Sequence, residues 1–242
     1  MASTKPSNTS AFTNIIVNIA IPSIVLMKLS APERLGPVYA LVLALCFPLG
    51  FGIWELIRSG KPSFFAALGL VNVMLTGGLG LMKMDGFWFA VKEAAVPLVL
   101  GAGVLVSLKT KSPIVRSILL NEHVINVPLV RERLEQSGRN EAFEKLMASS
   151  TVFLAFSFFL SATLNFGLAR YLLVSPAGTP EFNAELGRMT ALSFPVIAVP
   201  SLVVTGLVIW RLFAGIKGLT GLGMDQIFHD QAKAAAAQPP KS

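Results

Sequence analysis

The stretch YALVLALCFPLGFGI, residues 39–53, contains no charged side chain and leaves no polar face for water. Five further apolar stretches occur, so that the set covers approximately 11–27, 35–57, 63–82, 87–108, 151–174 and 190–213. About 20 apolar helical residues cross the roughly 30 Å hydrocarbon layer of a bilayer. Five stretches reach that length and the first falls slightly short. The sequence therefore predicts an all-α membrane protein, with six transmembrane helices in a bundle.

The overall composition supports a lipid environment. The chain has 242 residues, of which 53% are hydrophobic and only 14% are charged. A soluble domain carries about 25% charged residues. The net charge of +7 could indicate nucleic acid, but the basic residues lie in loops and tails beside the apolar stretches, as they do in membrane proteins. We expect the lipid bilayer, with its anionic headgroups, as a partner and no nucleic acid.

The distribution of lysine and arginine predicts the orientation. If all six helices cross, one side carries 14 of these residues and the other side carries 6. The positive-inside rule then puts both termini in the cytoplasm. The predicted order is a polar N-terminal tail over 1–10, a transmembrane domain over 11–213 and a cytoplasmic C-terminal tail over 214–242. A cytoplasmic loop with short helices, 109–150, interrupts the transmembrane domain.

Four polar residues lie inside the predicted spans, where a charged group is costly. Lys92 and Glu93 lie about one turn into the fourth span, Asn72 near the middle of the third and Asn165 midway along the fifth. Adjacent residues point about 100° apart on a helix, so Lys92 and Glu93 are expected to be poor partners. Lys92 is expected to extend to the headgroups, whereas Glu93 needs a partner or a proton.

These residues have two interpretations. In the first, Glu93, Asn72 and Asn165 form a polar cluster that lines a substrate or proton path, as in a small-molecule or ion-coupled transporter. In the second, they make hydrogen bonds between helices that fix the register of the bundle. The prolines inside four spans fit the kinked helices of a transporter, but ordinary adjustment of helix shape is the interpretation that we favour.

The connection between the fourth and fifth spans carries candidate contacts with lipid or a protein partner, namely Lys109, Lys111 and Arg116. The apolar residues between Ile114 and Val127 form one broad face beside these basic groups, as in a helix lying in the headgroup plane. A second helix is expected from Leu129 to Gln136, ended by Gly138. The apolar residues of the tail between Ile216 and Phe228 are expected to lie on the membrane.

Signatures of catalysis are absent from the sequence. It contains no glycine-rich phosphate loop, no GxSxG and no HExxH. The two histidines, His123 and His229, are far apart, with no cysteine or histidine at ligand spacing. We therefore expect no metal, no cofactor and no enzymatic activity.

Three segments carry a resemblance to a known family. They are KTKSPIVRSILL at 109–120, FFLSATLNFGLARYL at 158–172 and ELGRMTALSFPVIAVPSLVVTGLVIWRLFAGI at 185–216. The first resembles a basic, proline-containing turn after a hydrophobic helix, and the second places Asn165 late in the penultimate helix. Over roughly residues 70–216 the chain resembles the intracellular septation protein A superfamily of bacterial inner-membrane proteins.

This resemblance implies a multi-pass protein of the bacterial inner (plasma) membrane. It also implies a non-enzymatic role in septation and envelope maintenance, exerted through contacts with membrane proteins or lipids. Other inner-membrane proteins, or a second copy of this chain, are the partners that it suggests.

Overall fold

The structure is a computed structural model, and it describes residues 16–59, 64–110 and 125–228. In the described ranges the backbone is helical and contains no strand, apart from one isolated antiparallel bridge between Ile125 and Phe228. The predicted all-α class is confirmed for this part of the chain.

The described helices follow one another through short connections. The first, α1, covers Ile21–Leu29 and directly follows a π-helical turn at Ile16–Ala20. A second π-helical turn, Phe194–Ala198, joins α7 to α8. The remaining helices are α2 Gly36–Ser59, α3 Phe64–Leu81, α4 Gly86–Ser107, α5 Val127–Ser137, α6 Asn140–Leu172, α7 Pro180–Ser193, α8 Val199–Thr220 and α9 Met224–Ile227.

Four helical stretches of the described chain are long and apolar enough to cross a membrane: Gly36–Trp54, Gly86–Ser107, Asn140–Leu172 and Pro180–Thr220. They correspond to the second, fourth, fifth and sixth predicted spans. The apolar helices at Ile16–Leu29 and Gly69–Leu81 are shorter. The structure therefore supports a membrane protein with four candidate spans, and the count of six remains a prediction.

Two helices extend well beyond the spans predicted from hydropathy. Helix α6 has 33 residues and begins at Asn140, inside the predicted loop, so it is about 50 Å long at 1.5 Å per residue. The last candidate span begins at Pro180 and ends at Thr220, whereas the prediction covered 190–213. Charged residues mark where a helix leaves the apolar layer, and they do not end the helix itself.

The chain divides into two compact units. The first contains the described part of Met1–Val96 together with Ala162–Val199. Its helices α1, α2 and α7 pack on one another, and α7 lies close to α1 at Gly187, whose ideal Cβ would lie 2.8 Å from the Ser23 carbonyl oxygen. The core is formed by Val25, Leu26, Leu41, Ala44, Phe89, Ala90, Ala169, Leu173, Phe182, Leu186 and Met189.

A buried asparagine joins three segments of this unit. The Asn183 Nδ2 of α7 donates to the Ser30 hydroxyl at 3.1 Å and to the Pro37 carbonyl oxygen at 2.7 Å. Ser30 follows α1, and Pro37 lies in the first turn of α2. Because the side chain of Asn183 is buried, these bonds satisfy an amide that would otherwise be costly to remove from water.

The second unit contains the described parts of Pro97–Ser161 and Pro200–Ser242. Helix α5 begins at an Asn126 cap and ends at Gly138, whose φ of 64° is left-handed, close to the predicted bounds. The prediction that the apolar tail lies on the membrane is wrong for three residues, because protein covers them. Ile216, Leu222 and Ile227 are buried in a core with Ile125, Val130, Leu134, Phe143, Met147, Leu212 and Phe213.

Candidate functional site

Lys92 and Glu93 form an ion pair on α4. Lys92 Nζ lies 2.6 Å from Glu93 Oε1, and the side chains are 6% and 21% exposed. The expectations that the two are poor partners and that Lys92 extends to the headgroups are wrong. Their Cα–Cβ bonds do point apart, but the four-carbon stem of lysine is long enough to bring the ammonium back to its neighbour.

A hydroxyl on the adjacent helix completes the surroundings of the lysine. Lys92 Nζ donates to Thr76 Oγ1 of α3 at 2.6 Å. Thr76 in turn donates to the Asn72 carbonyl oxygen one turn earlier, at 2.9 Å. The buried ammonium thus has a charged acceptor on its own helix and a neutral acceptor on another. The bond from Lys92 to Thr76 is of the kind that the second interpretation, register fixing, predicts.

The other side of Glu93 faces a cavity, termed here the polar cavity, of about 510 Å³ within the first unit. This volume lies within the roughly 300–1,000 Å³ range of small-molecule sites. Glu93, Asn72 and Asn165 all line it. The three residues of the predicted polar cluster, drawn from α3, α4 and α6, therefore lie around one space. Lys92 does not line this cavity and instead lies in the wall of a separate, smaller pocket between α3 and α4.

Four further polar residues line the polar cavity and were missed in the sequence: Asn18, Thr76, Thr190 and Ser193. Thr190 donates to the Leu186 carbonyl oxygen at 2.9 Å, and Ser193 donates to the Met189 carbonyl oxygen at 2.7 Å. Threonine and serine are common in apolar helices because they make such local bonds, so they do not stand out. The available signal was spacing, since Thr190 and Ser193 share one helix face with each other, as do Asn72 and Thr76.

The rest of the wall is apolar or irregular. Apolar contacts come from residues such as Leu26, Leu41, Leu45, Phe51 and Met189. Asn18 belongs to the first π-helical turn, and Ser193 directly precedes the second. Such turns are rare and occur often at functional sites. An apolar wall with a few converging polar groups has the composition of a binding site.

The predicted basic contacts are placed only in part. Lys109 lies just after α4 and is exposed. Lys111 and Arg116 lie outside the described residues, as does most of the predicted helix after Ile114. No group of three or more histidine, cysteine, aspartate or glutamate side chains that could hold a metal occurs in the described ranges. Of these candidate sites, the polar cavity is the one for which the structure describes the most residues.

Compared with known protein families, curated proteins and solved structures, the chain matches none. The resemblance to the septation protein A superfamily thus rests on the quoted residues alone.

Proposed function

We propose that this chain is a multi-pass protein of the bacterial inner membrane that binds a small solute in the polar cavity and carries it across. In this proposal six helices cross the membrane and both termini are cytoplasmic. The observation that carries it is the position of Glu93, Asn72 and Asn165 around one cavity, each within a stretch predicted to cross the membrane. Polar groups inside a membrane are costly, and transporters place them at substrate and ion paths.

The helices around the polar cavity are interrupted, as are the helices that move during transport. Pro22 and Pro48 line the cavity. Pro22 lies in the first turn of α1, directly after the π-helical turn, and Pro48 lies inside α2, where it removes a backbone donor. Two π-helical turns lie in the same unit. Interrupted helices at a solute site are the usual construction of secondary transporters. Among the described residues of the cavity wall Glu93 is the only acidic one, and we propose that its carboxylate, paired with Lys92, is a contact for the solute.

The test is flux in proteoliposomes that contain the full chain, comparing wild type with Glu93→Gln under imposed proton and sodium gradients. We expect a saturable uptake that is lost in the variant, because the amide removes the carboxylate that balances the Lys92 ammonium at the cavity. Glu141→Gln is the matched control, since Glu141 forms an exposed pair with Lys145 and does not line the cavity. Absence of flux for every solute and gradient would overturn the transport proposal.

The competing hypothesis is the one that the resemblance implies, a non-enzymatic role in septation and envelope maintenance through membrane-protein or lipid contacts. It expects no flux, and it expects a reproducible membrane neighbour in proximity labelling. The exposed Lys109 beyond α4 is suited to an anionic headgroup under either hypothesis.

A further inference from the structure

We infer that the solute of the polar cavity is an uncharged polyol. This inference rests on the proposed binding role of the cavity, and it names the chemical class of the ligand. It follows from two properties of the described wall, its net charge and the direction of its hydrogen bonds.

The first property is charge. Among the described residues of the wall the only charged one is Glu93, and the adjacent Lys92 ammonium, 2.6 Å away, already balances it. An anion would meet the carboxylate without a cation in the wall to receive it. A cation would leave the site with a net charge of +1 in apolar surroundings. Because an unbalanced charge is costly there, an uncharged solute fits best.

The second property is a set of hydroxyl and carboxylate oxygens in the wall that can accept hydrogen bonds. The hydroxyl protons of Thr76, Thr190 and Ser193 are all donated to carbonyl oxygens of the preceding turn. Each of these hydroxyls can therefore only accept a further bond. Lys92 bonds Oε1 of Glu93, and no described residue donates to Oε2. A ligand that bonds to these oxygens must accordingly supply O–H or N–H donors.

A polyol meets these requirements together. Its hydroxyls donate to the carboxylate and to the threonine and serine oxygens, and its own oxygens can accept from the Asn72 amide. Its C–H surface matches the apolar wall formed by residues such as Leu41 and Phe51. It carries no charge that would compete with Lys92 for Glu93.

The experiment compares three six-carbon compounds that share one skeleton and differ in charge: sorbitol (uncharged), glucamine (cationic at pH 7) and gluconate (anionic). Equilibrium binding of radiolabelled compound to the detergent-solubilised full chain is measured for each. We expect saturable binding of sorbitol and affinities at least about tenfold weaker for the two charged compounds, since each brings an unbalanced charge. Equal or tighter binding of either charged compound, or no saturable sorbitol binding, would overturn the inference.

Two variants locate the binding. Thr190→Val and Ser193→Ala remove acceptor oxygens, and each is expected to weaken sorbitol binding about fivefold, which is typical of one hydrogen bond. Thr151→Val is the matched control, because Thr151 makes the same bond to the preceding turn, to the Met147 carbonyl oxygen at 2.9 Å, but does not line the cavity. Unchanged sorbitol affinity in both cavity variants would also contradict the inference.

The binding and flux measurements test the ligand class and the transport proposal independently of each other. Sorbitol binding without flux would leave the ligand class standing and overturn transport. Saturable flux of a charged solute, blocked in Glu93→Gln, would support transport and overturn the polyol class.

Discussion

Lys92 and Glu93 place opposite charges side by side in a helix whose other residues are apolar or small. Removing two charges from water costs several kcal/mol per ion, and the pair recovers this only when its geometry is good. Here the lysine has two acceptors at 2.6 Å. The pair therefore tolerates the apolar surroundings as a unit, and neither charge does so alone.

Lys92→Met is expected to destabilise the protein by about 3–5 kcal/mol, because it leaves the Glu93 carboxylate partly buried without its cation. Lys92→Met combined with Glu93→Gln is expected to recover most of that loss. The measurement is the free energy of unfolding in detergent, arranged as a double-mutant cycle.

The matched control for this cycle is Lys145→Met, which breaks a pair whose side chains are 77% and 84% exposed. Solvated pairs contribute little, so no measurable change is expected there. Additive losses for the two changes at 92 and 93 would contradict the coupling.

For single residues, the sequence predicted which polar side chains lie at the cavity better than it predicted the side chains to which they bond. A polar residue inside an apolar run is visible in the sequence, which is how Glu93, Asn72 and Asn165 were found. The path of the Lys92 stem depends on side-chain rotamers and on Thr76 of another helix. Neither can be read from local spacing, so the predicted separation of Lys92 and Glu93 was wrong.

At the scale of helices, close packing of one helix on another holds the bundle together, because the hydrophobic effect does not drive helices together in lipid. Gly187 on α7 meets α1 so tightly that an ideal Cβ would lie 2.8 Å from the Ser23 carbonyl oxygen and 2.9 Å from Met27 Cγ. The backbone of α1 cannot withdraw, since it also carries buried Val25 and Leu26. A methyl group at 187 must therefore push the two helices apart.

Gly187→Ala is expected to lower the free energy of unfolding by about 1–3 kcal/mol, which is typical of overpacking. Gly167→Ala is the matched control, because a Cβ at Gly167 on α6 meets nothing within 4 Å. Alanine is there expected to be neutral or stabilising by helix propensity, by up to about 1 kcal/mol. Equal effects at both positions in the same unfolding assay would exclude the packing explanation.

Helix ends were the part of the elements that hydropathy predicted least well. The predicted fifth span begins at residue 151, because charged residues such as Lys145 precede it in the sequence. The helix α6 nevertheless begins at Asn140. Lysine and glutamate are good helix formers. An apolar run records the thickness of the membrane, whereas the helix continues wherever its backbone bonds and neighbours support it.

At the scale of the whole molecule, the described tail shows why apolar residues alone do not assign a surface. Ile216, Leu222 and Ile227 would suit the headgroup layer by composition. They instead pack in a core with α5 and α6. In addition, the backbone N–H of Asn126 donates to the Ile227 carbonyl oxygen at 2.9 Å. That core depends on contacts between residues about 100 positions apart, which no local pattern contains.

The number of spans is the main question at this scale, because α1 is too short by itself to count as a candidate span. Residues 29–35 and α5 lie on opposite faces of the membrane if six helices cross. They lie on the same face if only the four long stretches cross. Cys46 is the single cysteine, so Cys46→Ser gives a background in which one new cysteine reports one position.

In that background we expect Glu33→Cys and Arg133→Cys to react with an impermeant thiol reagent from opposite faces, Arg133→Cys in inside-out vesicles and Glu33→Cys in right-side-out vesicles. Both positions are exposed. Asp85→Cys is the control, since it lies opposite residue 133 in either topology.

Labelling of 33 and 133 from the same face would reduce the count to four. The short π-turn and α1 would then lie in the membrane without crossing it, and Asn18 would reach the polar cavity from one face only. Opposite labelling would support the proposal of six spans, with the polar cavity enclosed between helices that cross completely, as alternating access to a bound solute requires.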